Sequence, residues 1–96
     1  MDEKNERIAT ILEEAERAHA SISRLTNGAD PEWPLFYSWW LINWSELPKV
    51  VGAAPVRSEL IFALMTLDRE YRGERPADPW PAYWAQRLAS TDWSSV

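Results

Sequence analysis

The chain has 96 residues, a net charge of −5, seven tryptophans, three tyrosines, two phenylalanines and no cysteine. That length suits one domain with a modest core, and 46% hydrophobic residues exclude a chain disordered throughout. The absent cysteine excludes disulfides, thiol nucleophiles and thiolate metal sites, and the ten scattered basic residues exclude the clustered footprint that nucleic acid requires.

The charged opening Met1-Asp2-Glu3-Lys4-Asn5-Glu6-Arg7 leads into no apolar segment, so no signal peptide is expected. The longest uncharged run, Trp33 to Ser45, falls short of the roughly 20 apolar residues that span a membrane. These features predict a cytoplasmic protein with no membrane segment, folded as one domain over 1–96 with loose ends at 1–4 and 94–96.

Residues 5–26 are predicted to form a long amphipathic helix, because Ile8, Ile11, Leu12, Ala15, Ala18, His19, Ile22 and Leu25 recur at helical spacing. Asn27-Gly28 is a C-terminal stop signal, and Asp30-Pro31 marks a turn. A second helix starts near Pro34, where proline's missing N–H costs nothing. Its Leu35, Phe36, Tyr37, Trp39, Trp40, Leu41, Ile42 and Trp44 cover every face, so it must be central or covered by something else. Pro48 and Gly52 punctuate a connector whose Leu47, Val50 and Val51 are placed in one turn on the core. A third helix runs from Pro55 to Arg72, with Leu60, Ile61, Leu64, Leu67 and Tyr71 on one face, and ends at Gly73 and Pro76. Asp78-Pro79-Trp80-Pro81 opens a fourth helix ending near Ala89, and Trp93 pins the polar tail. The expected fold is all-α, a compact four-helix domain.

One motif is written twice. Trp33-Pro34-Leu35-Phe36-Tyr37-Ser38 recurs as Trp80-Pro81-Ala82-Tyr83-Trp84-Ala85, and each copy reaches a leucine at the same distance, Leu41 and Leu88. Glu16, Arg17 and His19 stand upstream of the first copy, and Asp68, Arg69 and Tyr71 upstream of the second. Two copies are too few for a solenoid, so two helix-loop-helix halves with pseudo-twofold character are expected.

The segment from Glu13 to Leu41 carries Ala15-Glu16-Arg17-Ala18-His19, then Asp30-Pro31-Glu32-Trp33-Pro34 and Phe36-Tyr37. It resembles a family of small uncharacterised bacterial proteins with an Ala-Glu-x-x-His helix, a Glu-Trp-Pro turn and a Trp-Tyr-Ala helix start. Ser38 stands where that pattern has alanine, and Ala85 keeps it. The resemblance implies architecture and no activity.

Glu16 and His19 form a Glu-x-x-His pair on one helix face, the spacing used twice over in carboxylate-bridged di-iron bundles. One pair does not specify a metal, so no metal or cofactor is expected. Arg17 and Arg69 occupy polar helix edges and are candidates for ion pairs with Asp78 and Asp30; with Glu16 and His19 they make up a candidate polar site. Phe36, Trp39, Trp40, Trp44 and Trp84 are the candidate ligand- or partner-binding residues, because large rings anchor interfaces and line apolar pockets. The expected function is therefore a non-enzymatic binding or interaction module using an aromatic-rich surface or groove. The alternative is a small enzyme or metal-binding protein centred on Glu16 and His19. Expected partners are a second copy of the chain, through helix two, or else a protein partner or small apolar ligand.

Overall fold

The computed structural model describes residues 3–25, 32–91 and 93, the side chains of 22–25 excepted. Five α-helices and no strand occur among them: α1 (Glu3–Leu25), α2 (Trp33–Asn43), α3 (Leu47–Val51), α4 (Arg57–Glu74) and α5 (Trp80–Ser90). Asn27-Gly28, Asp30-Pro31 and the last three residues lie outside the described residues, as do the side chains of Ile22 and Leu25. No helix among the described residues is long and apolar enough to cross a membrane.

The apolar stripe of α1 buries Ile8, Ile11, Leu12 and Ala15, while Glu3 and Glu6 sit in its first turn where the helix dipole favours acids. Its first turn is also tied down, because Lys4 Nζ donates to the Ala89 carbonyl oxygen at 3.1 Å near the end of α5. Leu41, Leu47, Leu60, Leu64, Leu67 and Leu88 complete the core with Tyr37, Trp84, Ala85 and Trp93. Ser38 is fully buried and satisfied, its Oγ donating to the Leu35 carbonyl oxygen at 3.1 Å.

Chain neighbours are not the main packing partners. α1 packs chiefly on α5, and α2 on α4. Each half's long helix thus covers the other half's aromatic helix, and small side chains at the equivalent positions Ser38 and Ala85 are both fully buried.

Two expectations need correction. There are five helices rather than four, because the punctuation around the connector closes a helix: Pro48 lies in the first turn of α3, and Gly52 caps it at φ +84° with its N–H on the Pro48 carbonyl oxygen at 3.0 Å. Ser45 prepares the entry, donating to the Leu41 carbonyl oxygen at 2.6 Å and accepting the Leu47 N–H at 3.1 Å. The third long helix does not end at Gly73 either. α4 runs to Glu74, and Arg75 takes the left-handed position at φ 48°, its N–H reaching the Tyr71 carbonyl oxygen at 2.9 Å. The helix continues through Gly73 while the Tyr71 hydroxyl, donating to the Asp78 carbonyl oxygen at 2.9 Å, holds the following loop against its last turn.

Candidate functional site

Both aromatic helices begin the same way. Trp33 and Trp80 are first residues, Pro34 and Pro81 follow within the first turn, and both prolines are buried. A tryptophan at such a start projects beyond its own helix toward the neighbouring one. The two starts meet over a cleft of about 470 Å³ lined by Glu16, His19, Trp33, Tyr37, Asp68, Tyr71, Arg72, Trp80 and Trp84. That volume falls in the range of small-molecule sites, roughly 300–1,000 Å³. Apart from Arg72, the lining comes in pairs from equivalent positions of the doubled motif: Glu16 with Asp68, His19 with Tyr71, Trp33 with Trp80, and Tyr37 with Trp84.

Four of these rings form a closed circuit. Trp33 meets Tyr37 at 5.8 Å between centroids, Tyr37 meets Trp80 at 6.3 Å, Trp80 meets Trp84 at 4.7 Å, and Trp84 returns to Trp33 at 6.0 Å. These spacings and the mostly edge-on angles are those that aromatic quadrupoles prefer. The two contacts that cross between halves differ by only 0.3 Å, and the equivalent pairs His19–Phe36 and Tyr71–Tyr83 lie at 5.3 and 5.4 Å.

Both carboxylates of the cleft are engaged. Trp80 Nε1 donates to Glu16 Oε2 at 3.2 Å, joining α5 to α1. Arg72 Nε lies 3.1 Å from both carboxylate oxygens of Asp68, one turn earlier on α4. Burial, and then the negative charge of Glu16, push the Tyr37 phenol from 10.0 up to about 12. Trp84 is 5% exposed, and its indole nitrogen has no hydrogen-bond partner among the described residues. By contrast, Trp93, which is 4% exposed, donates from Nε1 to the Leu88 carbonyl oxygen at 3.1 Å and holds the tail.

Of the residues singled out from sequence, the cleft gathers Glu16, His19 and Trp84. Phe36 is half-buried beside it, its ring tilted against that of His19, and Trp40 is half-buried against the core. Trp39 and Trp44 face solvent at 43% and 68% exposure, their rings 5.9 Å apart. Arg17 and Arg69 are exposed and do not line the cleft. No ion pair joins Arg17 to Asp78 among the described residues, and Asp30 lies outside them; the acid that spans the halves is Glu16, with an indole as donor. Trp33, Tyr37, Asp68, Tyr71, Arg72 and Trp80 are the lining residues that sequence reasoning did not propose as a ligand site. The doubled motif was the signal for all of them except Arg72, since its equivalent positions are those that converge. Among the described residues no three His, Asp or Glu side chains gather in a way that would hold a metal ion.

Comparison with protein-family models, curated proteins and solved structures finds no match for this chain.

Proposed function

We propose that the protein is a non-enzymatic binding module whose ligand seat is the cleft between the two Trp-Pro helix starts. The observation that carries this reading is the closed circuit of Trp33, Tyr37, Trp80 and Trp84, drawn equally from both halves. The cleft offers a ligand ring surface, chiefly that of the half-buried Trp33 and Trp80, together with the polar side chains that line it. Glu16 is engaged by Trp80, Asp68 by Arg72, and Tyr37 stays protonated far above neutral pH. The matched contacts of equivalent residues support a pseudo-twofold relation between the halves, with the cleft where they face each other. Indole N–H resonances test the reading. Small ligands that seat in the cleft should shift those of Trp33, Trp80 and Trp84 and leave that of Trp93 in place. A broad fragment collection that moves none of the three would sink it.

A second reading rests on α2. Leu35 and Trp39 lie one turn apart on its exposed side, followed by Trp44, and the run from Trp33 to Ser45 carries no charge. Soluble monomers rarely leave such a stripe open. A charge-patterned partner would find nothing there to pair with, whereas a second copy brings an identical uncharged stripe, and twofold pairing is the commonest closed arrangement. A homodimer through α2 is therefore proposed. Light scattering should give twice the chain mass, and a monomer at micromolar concentration would rule it out.

A further inference from the structure

We infer that the cleft recognises a methylated ammonium group, the cationic head of a quaternary or tertiary alkylamine. The inference rests on the reading of the cleft as a ligand seat and adds the chemical class of the ligand. Three observations carry it.

The first is the rings. Trp33, Tyr37, Trp80, Trp84 and Tyr71 all line one cleft, and a cation held within about 6 Å of ring centroids is attracted by their negative faces, tryptophan being the best of the aromatic side chains.

The second is charge. Three charged side chains line the cleft, Glu16, Asp68 and Arg72, and their sum is negative. Arg72 is three-quarters exposed and spends its charge on Asp68. Glu16 accepts its hydrogen bond from a neutral indole N–H, so its full negative charge remains. That charge is felt among the rings, since it contributes to raising the Tyr37 phenol. An anionic ligand drawn to Arg72 would meet both carboxylates.

The third is that both carboxylates of the cleft already hold hydrogen bonds. One oxygen of Glu16 already holds Trp80, and both oxygens of Asp68 face Arg72. A primary ammonium or a guanidinium brings three to five N–H donors that must each find an acceptor. A methylated ammonium brings the same charge with few donors or none, and its methyl groups pack on ring faces.

The same chemistry arrives either as a free small molecule or as a methylated lysine of another protein. Titrations with choline, with its neutral isostere 3,3-dimethylbutan-1-ol, and with a short peptide carrying trimethyl-lysine separate these cases. Choline should shift the Trp33, Trp80 and Trp84 indole resonances and bind at least about tenfold more tightly than the isostere. Tighter binding of the peptide than of choline assigns the group to a protein, and the reverse assigns it to a small molecule; either outcome supports the inference. Glu16→Gln keeps an oxygen for the Trp80 bond and removes only the charge, so it should weaken choline binding severalfold with unchanged helicity. Equal affinity for choline and the isostere overturns the cationic class while leaving a ligand-binding cleft intact. Choline, isostere and peptide all failing to move the cleft indoles also overturns it, and the fragment test then judges the binding reading on its own.

Discussion

The indole N–H of Trp80 meets the carboxylate of Glu16 at 3.2 Å across 64 positions of chain. This one bond links the start of α5 to the middle of α1, orients a ring of the circuit, and keeps a negative charge at the cleft.

That charge has a measurable effect on Tyr37, whose phenol is raised first by burial and then by Glu16 to about 12. The folded pKa lies above the unfolded value of 10.0, so folding favours the protonated phenol. The stability tied to it is complete below pH 10 and is lost as the pH climbs from 10 toward 12. The difference in ultraviolet absorbance between the native chain and Tyr37→Phe should show one phenol titrating late. Glu16→Gln should bring that titration down while leaving it above 10, since burial is the larger cause. A Tyr37 phenol titrating normally would contradict the placement of both groups.

Trp84 and Trp93 are equally buried but differ in their indole nitrogens. The last carbonyls of a helix lack intrahelical donors, and Trp93 supplies one to Leu88. Trp93→Phe leaves that carbonyl unpaired in a buried place and should cost about 1–3 kcal/mol. Trp84→Phe removes an N–H that has no partner among the described residues, so it should cost about 1 kcal/mol less than Trp93→Phe. Trp84→Ala, which empties the site, should cost about 3–5 kcal/mol. Urea unfolding of the three variants gives the ranking, and a costlier Trp84→Phe would mean that its nitrogen is satisfied.

The end of α4 has its glycine and its arginine in the less favourable order. Gly73 is helical with open space where a Cβ would stand, so Gly73→Ala should stabilise by roughly 0.5–1 kcal/mol. Arg75 holds a left-handed position that a side chain disfavours, and Arg75→Gly should stabilise by roughly 0.5–1 kcal/mol. Both changes should raise the thermal midpoint. A lower midpoint for Gly73→Ala would place the helix end at Gly73 after all.

Leu41 and Trp39, two positions apart on α2, should separate stability from association. Leu41 is fully buried, and Leu41→Ala should cost about 2–5 kcal/mol. Trp39 is 43% exposed, so Trp39→Asp should change the stability of the single chain by less than about 1 kcal/mol while halving the mass seen by light scattering. An unchanged dimer mass would move the contact away from this face.

The sequence by itself determined the helical class, the long helices to within a few residues, and the leucines that fill the core. These follow from local rules, the 3.6-residue period and the punctuation of proline and glycine, which act within a turn or two of chain. Local rules also misled where neighbours compete. Gly73 looked like a helix end, yet α4 runs one residue past it to a cap at Arg75, and the Pro48–Gly52 connector, read as a single turn on the core, is a short helix of its own. Only the tertiary structure decided which rings share a cleft. Trp39, Trp44 and Trp84 read alike in sequence, each an aromatic on an apolar helix, yet two face solvent and one is buried and lines the cleft. The difference arises because α1 crosses α5 and α2 crosses α4, so that a ring's surroundings are set by helices far away in the chain rather than by its own neighbours.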